Sequence, residues 1–464
     1  MTAPETTQRQ PFPIGLEEGE GRHRLWSAAA VAGFVLATLI LLAPALWNGY
    51  PLLQYDTGGY LARWYEGYLV PSRSTAFGIY LHAGEGLHFW PELLVQSVLT
   101  VWIIGLVLRL HGMAGRGLGV LAMVAVLSAI TTLPWLTSIL LTDIFAGLSV
   151  LALHLLIFQA AKLSRAEAAA LFAVVAFSAA THSATFAVLL AILGTAALAR
   201  IAAPKILAAR RLVVGAAAVG LGALLLLTAN YALSGRLAWT PGGFGIAFGR
   251  MLQDGIVRRF LDDHCPEAQL KLCPYRDELP STADEFLWDY GVFNRLGRFE
   301  GLGDEMRSIV LRSLVEYPGL QVVTALEATA LQLVLVATGA GVHDELQHTY
   351  GIVERFIPRE VPAMRAARQQ RGELGFERLN RLHVPVALVS MLALPFLLLR
   401  LRADPGDRLA LLAGSVSVAL LTNAFVCGAL SGPHDRYGAR LAWLATLVVL
   451  LGSLEAPAYR ADTG

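Results

Sequence analysis

Long apolar runs alternate with short polar links along most of the chain. Several of these runs exceed the roughly 18 residues that a helix needs to cross a hydrocarbon core. We expect membrane-spanning helices at about 25–47, 92–110, 117–134, 143–160, 168–181, 183–200, 212–233, 382–400, 408–430 and 438–454. The pattern therefore predicts an all-α polytopic membrane protein with about ten or eleven transmembrane helices and with interfacial helices in its outer loops.

The composition agrees with this fold class. Apolar residues make up 55% of the 464 positions and charged residues only 15%, whereas a soluble domain carries about 25% charge. The mean hydropathy is +0.56. Because the net charge is only +1, we expect contact with membrane lipids and no nucleic-acid partner.

The N-terminal residues predict which way the chain enters the membrane. Residues 1–24 are polar, and the apolar run from Leu25 to Trp47 is longer than the 7–15 residues of a signal-peptide core, so it reads as an uncleaved first span. Residues 22–24 are Arg-His-Arg, which makes 1–24 a cytoplasmic tail by the positive-inside rule. Basic residues of later short links fall on the same side, namely Arg109, Arg116, Lys162, Arg165, Arg200, Lys205, Arg210 and Arg211.

The run 168–200 is too long for one upright span, and Thr181-His182-Ser183 interrupts its middle. Two short helices that meet at the outer face account for it. The alternative is one long helix with a buried histidine, and this would invert the orientation of everything after it.

The chain then divides into a transmembrane module at 25–235 with an outer loop at 48–91, a large periplasmic loop at 236–318, and a C-terminal transmembrane region at 319–464. In the large loop, Cys265 and Cys273 stand eight positions apart. An exported loop lies in an oxidising compartment, so we expect a disulfide. Two unpaired thiols remain an alternative, and zinc is less favoured because a four-ligand set is missing.

The segment 319–338 leaves two topologies open. If it crosses, 400–408 faces outward and 431–440 inward; if it does not cross, the order reverses. Arg400, Arg402 and Arg408 prefer the cytoplasm, which favours the non-crossing arrangement and an outer 431–440. Against the non-crossing arrangement, the loop 339–381 holds seven arginines, although its six acids dilute this argument.

The outer loop 48–91 concentrates polar and aromatic residues just after the first span. Asp56 is followed by Tyr60, Trp64 and Tyr68 at positions i, i+4 and i+8, which share one face of a helix. Such a helix fits the membrane interface, where aromatic rings with polar tips are favoured. In the alternative interpretation Asp56 only caps this helix and the aromatics form an ordinary interfacial belt.

A second acid occupies a matching place. Asp143 opens the fourth span, so topology puts it at the same outer face as Asp56. An acid in the first turn also stabilises a helix N-terminus, which is the structural alternative. Ionisable groups at membrane depth are costly and usually functional. His182 would lie at this face too, as a structural or substrate-binding residue.

An Asp in the first outer loop, a second Asp at the start of the fourth span, aromatic interfacial helices and a large later loop resemble the GT-C superfamily of integral-membrane glycosyltransferases. The resemblance covers mainly 25–235. It implies a polyprenyl-phosphate-linked sugar donor, with Asp56 as general base and Asp143 shaping the acceptor or metal site. Neither loop contains an Asp-X-Asp or Glu-X-Asp pair, so no cofactor is certain and a divalent metal stays open.

The chemistry of such a transfer suggests further residues. The leaving lipid phosphate needs positive charge, and the planar fork of arginine binds phosphate oxygens in pairs. We expect donor phosphate binding by Arg73, Arg436 and Arg440. Candidate substrate-binding residues are Tyr60, Trp64, His182, His434 and Tyr437.

The sequence thus favours a membrane glycosyltransferase that passes a sugar to a lipid, glycan or protein acceptor, with its active site on the periplasmic face of an inner membrane. One alternative is a transporter or flippase of lipid-linked sugars, and another is a non-catalytic assembly subunit. A transporter should place polar residues at mid-membrane in broken helices, whereas the polar residues here gather in outer loops.

Overall fold

The computed structural model describes residues 28–69, 71–113, 117–266, 269–343 and 346–461, with side chains as far as Glu455. Within these ranges the protein is helical, and its one β contact is a parallel bridge between Leu52 and Ile139. The expected cytoplasmic tail at 1–24 and Arg116 lie outside the described residues. The prediction of an all-α polytopic membrane protein is confirmed.

The first half of the chain forms ten α-helices among the described residues. They are α1 Ala28–Asn48, α2 Thr57–Glu66, α3 Thr75–Gly84, α4 Trp90–Leu110, α5 Gly117–Ile130, α6 Leu133–Ser138, α7 Asp143–Phe158, α8 Arg165–Thr181, α9 Ser183–Ala202 and α10 Ala209–Ser234. The predicted break at His182 is confirmed, because α8 and α9 are separate helices on either side of it.

The second half contains eleven more α-helices among the described residues. They are α11 Gly243–Gln253, α12 Ile256–His264, α13 Ala283–Trp288, α14 Val292–Arg295, α15 Arg298–Glu316, α16 Pro318–Val334, α17 Gln347–Phe356, α18 Val361–Ala366, α19 Glu377–Leu398, α20 Arg408–Ala424 and α21 Asp435–Ala461. A short π-helix, Phe425–Ala429, continues α20.

Local sequence signals define several helix ends. The Ser164 hydroxyl accepts a hydrogen bond from the Glu167 N–H, and the Glu167 carboxylate accepts one from the Ser164 N–H, which forms a capping box at the start of α8. At the other end of a helix, Gly235 adopts φ +67° after α10. Glycine reaches this left-handed conformation without steric cost, so the helix stops there.

Seven described helices are long and apolar enough to cross a membrane, namely α1, α4, α9, α10, α19, α20 and α21. The expectation of ten or eleven spans also counted 117–134, 143–160 and 168–181, which are the shorter helices α5, α7 and α8. At 1.5 Å per residue, the 14 residues of α5 extend about 21 Å. This is shorter than the roughly 30 Å hydrocarbon core.

The helices of the bundle share two common ends. At one end Leu52 pairs with Ile139, the Ser74 hydroxyl donates to the Ala180 carbonyl at 2.7 Å, and Thr75 contacts Asn230. We call this the site end. At the opposite end, Arg109 pairs with Glu167 at 2.9 Å, Arg408 donates to the Leu110 carbonyl, and Arg400 pairs with Glu455.

The segment 319–338 does not connect these two ends. It is α16, which bends by 102° from α15. Near its start Gln321 contacts Met251 of the large loop, and near its end the Gln332 amide donates to the His434 carbonyl at 2.9 Å. Both neighbours belong to the site end, and 431–440 lies at the same end of the bundle as the loop 48–91, which agrees with the non-crossing arrangement.

The loop 236–318 has a hydrophobic core of its own. Phe248, Phe260, Phe286 and Phe293 are buried in it together with aliphatic residues from α11 to α15. Cys265 and Cys273 are joined by a disulfide, as the sequence led us to expect. The third cysteine, Cys427, is buried and is not part of a disulfide, and its Sγ accepts a hydrogen bond from Arg440 Nη2 at 3.4 Å.

The centre of the bundle is α7, whose residues from Asp143 to Ile157 are all buried. A helix that is apolar all round is expected to lie inside a larger protein. Its burial explains how a 16-residue helix belongs to a membrane bundle, because other helices rather than lipid surround it. It also brings Asp143 to the middle of the site end.

We predict that close packing of α10 on α8 depends on Gly222. A Cβ at Gly222 would lie 2.5 Å from the Ala179 Cβ and 2.6 Å from the Ala176 carbonyl oxygen, whereas one at Gly220 would meet nothing within 4 Å. Gly222→Val should lower the free energy of unfolding by about 1–3 kcal/mol through overpacking. Gly220→Val is the matched control on the same helix. Equal stability of the two variants in detergent, measured by thermal unfolding, would contradict this packing.

Candidate functional site

Asp56 and Asp143 lie on either side of one guanidinium group, that of Arg436. Its Nη1 donates to Asp56 Oδ2 at 2.5 Å, and its Nε donates to Asp143 Oδ2 at 2.7 Å. The exposed fractions are 7% for Asp56, 3% for Asp143 and 5% for Arg436. The two acids that the sequence placed at one face therefore share a buried ion-pair partner.

Two further arginines complete this arrangement. Arg73 Nη2 donates to Asp56 Oδ1, and Arg440 Nη1 lies 3.7 Å from Asp143 Oδ1. We call these five residues, Asp56, Asp143, Arg73, Arg436 and Arg440, the charge cluster. With three guanidinium groups and two carboxylates, the cluster carries one excess positive charge when all five are ionised. It is therefore better suited to an anion than to a cation.

The local chain explains why both carboxylates are available to the arginines. Asp56 occupies the position before α2, yet its side chain makes no capping hydrogen bond. The alternative interpretation of Asp56 as a simple helix cap is therefore wrong. Asp143 lies in the first turn of α7, where the positive end of the helix dipole also stabilises its charge.

The charge state of Asp56 follows from two opposing effects. Burial by itself raises the pKa of a carboxyl group, since the charged form loses its hydration. The charges of Arg73 and Arg436 outweigh this, and the pKa of Asp56 lies below its ordinary value. Asp56 is therefore a carboxylate at neutral pH.

Aromatic rings pack on the guanidinium groups. The Tyr437 ring centre lies 5.6 Å from Cζ of both Arg436 and Arg440, and the Tyr60 ring centre lies 5.7 Å from Cζ of Arg73. Such contacts between cations and ring faces are favourable. The structure thus places Tyr60 and Tyr437, two of the expected substrate-binding residues, at the charge cluster.

Two other expected substrate-binding residues contact different partners. Trp64 stacks on His82 with ring centres 4.2 Å apart, and 45% of its surface is exposed. His434 Nε2 lies 3.4 Å from Asp284 of the large loop. The expected face of Tyr60, Trp64 and Tyr68 is not continuous, because Tyr60 is buried and Tyr68 follows the end of α2.

His182 has a defined hydrogen-bonding state. Its Nδ1 accepts a hydrogen bond from the Ala184 N–H at 3.2 Å, so in the neutral ring Nε2 carries the proton. Burial lowers the pKa of His182, and Arg440, Arg436 and Arg73 lower it further. The histidine is therefore neutral and offers one N–H donor rather than a base.

The sequence interpretation missed Asn423, which holds Arg440 in place. Its Oδ1 accepts hydrogen bonds from Arg440 Nε at 3.0 Å and from Nη2, and its Nδ2 donates to the Tyr437 carbonyl at 2.7 Å. An asparagine inside the apolar run 408–430 was the available signal, since polar residues in such runs are rare.

A connecting segment after α16 covers the charge cluster. The Gly341 carbonyl accepts from the Tyr55 N–H at 3.2 Å, and the Thr349 hydroxyl oxygen accepts from the Gly58 N–H at 2.9 Å. Gly341 adopts φ +73°, and a Cβ there would lie 2.2 Å from Gln54 Nε2. Only glycine allows this close approach. The sequence predicted a loop here but not its position.

A small cavity of about 30 Å³ lies beside the cluster, lined in part by Asp143, Arg436 and Gln54. Arg436 Nη2 and Gln54 Nε2 are buried and have no hydrogen-bond partner among the described residues. Unpaired buried donors are costly. The cavity has room for about one water molecule, so these donors are positioned to bind a polar atom of a ligand or a water.

The fold and the site together define a polytopic helical membrane protein with a buried charge cluster at one end of its bundle. Comparison with protein-family models, with curated proteins and with solved structures finds no match. Nor do the described residues contain a group of three or more His, Cys, Asp or Glu side chains that could hold a metal ion. The site is therefore interpreted from its own geometry.

We predict that the ion pairs of Arg436 are strongly coupled. Arg436→Gln should lower the free energy of unfolding by about 3–5 kcal/mol, since it removes the ion-pair partner that two buried carboxylates share and leaves them only Arg73 and the more distant Arg440. Adding Asp143→Asn should recover part of this loss, because it removes one of those charges. Chemical unfolding in detergent gives the free energy of unfolding of wild type, of each single variant and of the double variant. Arg165→Gln, at an exposed position, is the control. Effects that simply add would contradict the coupling.

We predict that Asp56 contributes to the pH dependence of the protein's stability. A carboxyl with a lowered pKa in the folded state stabilises the protein above its unfolded value of 3.8. This contribution is lost as the pH falls through the lower folded value. The stability of wild type should therefore decline more steeply than that of Asp56→Asn as the pH drops below about 4. Parallel stability curves for the two proteins would exclude this contribution.

Proposed function

We propose that this protein is a membrane glycosyltransferase of the GT-C type, which moves a sugar from a polyprenyl-phosphate donor to an acceptor hydroxyl at the site end. The observation that supports the proposal is the charge cluster. Two carboxylates and three arginines from distant parts of the chain meet where helices emerge from the bundle. This is the level at which the head of a lipid-linked donor would lie.

The arginines suit the phosphate of such a donor. The cluster has an excess of one positive charge, and Arg436 Nη2 makes no hydrogen bond within the described residues. Phosphate oxygens are good acceptors for guanidinium groups, and charge-assisted bonds of this kind are about twice as strong as neutral ones. Arg436, with Arg73 or Arg440 beside it, would neutralise the charge that develops on the leaving lipid phosphate.

Asp56 is the residue we propose as general base. The acceptor oxygen forms a bond to the anomeric carbon while the bond from that carbon to the phosphate oxygen breaks. The acceptor proton passes to the Asp56 carboxylate, and the electron pair of the broken bond stays on the lipid phosphate. In the structure Arg73 and Arg436 occupy both oxygens of Asp56. A bound phosphate would draw these arginines to itself and release the carboxylate.

His182 and Asp143 would have supporting roles. The neutral His182 ring can donate from Nε2 to a phosphate oxygen or a sugar hydroxyl. Asp143 bonds Arg436 Nε at 2.7 Å, and this orients the guanidinium so that Nη2 remains available. We therefore propose Asp143 as a positioning residue for Arg436.

The distribution of basic residues supports an outer, periplasmic site in an inner membrane. The short links at the opposite end carry Arg109, Lys162, Arg165, Arg200, Lys205, Arg210, Arg211, Arg400, Arg402 and Arg408. Basic residues in short loops mark the cytoplasmic side. The disulfide of the large loop adds to this assignment, because disulfides persist in oxidising compartments.

One observation favours transport of a lipid-linked sugar as a second candidate. The pair α15 and α16 is bent by 102°, and broken helices are typical of transporter binding sites. The break nevertheless lies at Tyr317, where α15 of the large loop meets α16. The acids and arginines of the charge cluster come from other helices, which is why we place the enzyme first.

The proposal predicts that Asp56→Asn strongly slows sugar transfer. Loss of a general base should slow transfer by about 100-fold or more. The measurement is transfer of labelled sugar from membrane-embedded polyprenyl-phosphate donors, at matched protein abundance. Asp289→Asn, an exposed position in the large loop, is the matched control, and thermal unfolding of each variant tests that it folds.

Full transfer by a folded Asp56→Asn protein would remove Asp56 as base. A further outcome is that wild type transfers sugar from none of the donors and still moves a labelled lipid-linked sugar across the membrane of vesicles that contain the protein. That result would support the transporter instead. If wild type does neither, the protein is better explained as an assembly subunit.

A further inference from the structure

A buried glutamine of α16, Gln332, bonds to the residue that precedes α21. Its Nε2 donates to the His434 carbonyl at 2.9 Å, and its Oε1 accepts from the His434 N–H at 2.9 Å. Only 1% of Gln332 is exposed. The His434 carbonyl also accepts from the Tyr437 N–H at 3.1 Å, which starts the first turn of α21. One side chain therefore holds both polar backbone groups of the residue from which α21 begins.

The next residue of the chain is held by the same segment. Asp435 Oδ1 accepts a hydrogen bond from the Ala337 N–H at 2.8 Å, and Arg436 follows directly. The backbone before Arg436 is thus fixed at two successive residues. Because of this, the place of the Arg436 guanidinium between its two acids depends on where the end of α16 lies.

Close backbone contacts fix the end of α16 itself. A Cβ at Gly428 of the π-helix would lie 2.6 Å from the Ala328 carbonyl oxygen, and a Cβ at Gly438 in the first turn of α21 would overlap the Leu335 carbonyl oxygen. Glycine at both positions allows the backbones to approach. The end of α16 is therefore packed between the two segments that flank His434.

The polar side chains of α16 are turned towards the protein. Its buried side carries Thr324, Ala328 and Gln332, at intervals of four residues. Its exposed side is apolar apart from Glu327 and carries Val322, Val323, Leu326, Leu331 and Val334. In water the opposite distribution is usual, so this one fits a helix whose outer side meets lipid. A polar group beside lipid finds its partners only within the protein, and for Gln332 that partner is His434.

We propose that Gln332 is a positioning residue for Arg436. It acts through the backbone of His434, which fixes the start of α21 and thereby sets the guanidinium against Asp56 and Asp143. This inference rests on the proposed function, since it gives α16 the task of placing the arginine that neutralises the leaving phosphate.

The first test replaces Gln332 by methionine, which keeps the length of the side chain and removes both hydrogen bonds. Gln332→Met should slow sugar transfer by roughly tenfold, which corresponds to about 1.4 kcal/mol. The measurement is the labelled-sugar assay at matched abundance of folded protein. Thr329→Val is the matched control, because the hydroxyl that it removes donates to the Ala325 carbonyl of the same helix at 2.7 Å. Equal transfer by Gln332→Met and wild type would overturn the proposal.

Gln332→Glu is a second variant that retains one of the two hydrogen bonds. Its carboxylate accepts from the His434 N–H but cannot donate to the His434 carbonyl, whereas the protonated acid offers a donor and an acceptor, as the amide does. Its transfer rate relative to wild type should therefore rise as the pH falls from about 8 to about 5. The ratio for Gln332→Met should stay constant.

The comparison with wild type at each pH removes the contribution of the other groups that ionise nearby. On α16 and on the elements packed against it these are Glu316, Glu327, Cys427, His434 with its partner Asp284, Asp435, Arg436 and Arg440. A constant ratio for Gln332→Glu would exclude the hydrogen bonds to His434 as the cause and overturn the proposal.

A double-mutant cycle separates this proposal from the proposed function, because it needs no transfer of sugar. If Gln332 places Arg436, part of the stability lost in Gln332→Met is lost through the ion pairs of Arg436. Chemical unfolding in detergent should then show a smaller effect of Gln332→Met in the Arg436→Gln background than in wild type. Its effect should simply add to that of Arg165→Gln at the opposite end of the bundle.

The two assays together distinguish the possible failures. Coupling to Arg436 without transfer by wild type would keep Gln332 as a positioning residue and remove the glycosyltransferase. Additive effects of Gln332→Met and Arg436→Gln would overturn the positioning role even if wild type transfers sugar.

Discussion

The arrangement of the site end depends on a single guanidinium group between two buried carboxylates. Arg436 belongs to the last helix, Asp143 to the central helix and Asp56 to the first outer loop, so their ion pairs join segments that are far apart in sequence. Buried charges are costly unless each is compensated. Arg436 pairs with both acids. Separating any one of the three segments would therefore break at least one of these ion pairs and leave a buried charge without that partner.

The same arrangement leaves a residual positive charge that the ion pairs themselves do not require. Equal numbers of acids and bases would neutralise a purely structural network, but here three arginines face two carboxylates. Asp56 and Arg436 also lie at or next to the first residues of α2 and α21, and Asp143 begins α7. Helix N-termini add positive potential. The field at the cavity is therefore positive, and it keeps Asp56 ionised as well as attracting an anion.

Much of the fold could be predicted from the sequence, because apolar runs indicate the membrane spans and basic links indicate their orientation. Topology placed Asp56 and Asp143 at one face, and the exported loop suggested the disulfide, whereas the three arginines were expected from the chemistry that the family resemblance implies. The pairing within the charge cluster could not be predicted, since a sequence pattern does not show which arginine contacts which acid. The helical repeat of Tyr60, Trp64 and Tyr68 was misleading because Gly67 ends α2 in the left-handed conformation. Likewise, an apolar segment such as α16 gives no sign of whether it crosses.

The position of the charge cluster along the bundle bears on the choice between chemistry and transport. A transporter must expose its site to both faces in turn, which favours a site at mid-membrane between halves that rock. Here the acids and Arg436 lie at helix starts at one end of the bundle, and the fully buried α7 continues from them towards the other end. A site confined to one end of the bundle does not need to open to both faces in turn, which is why we place transfer chemistry before transport.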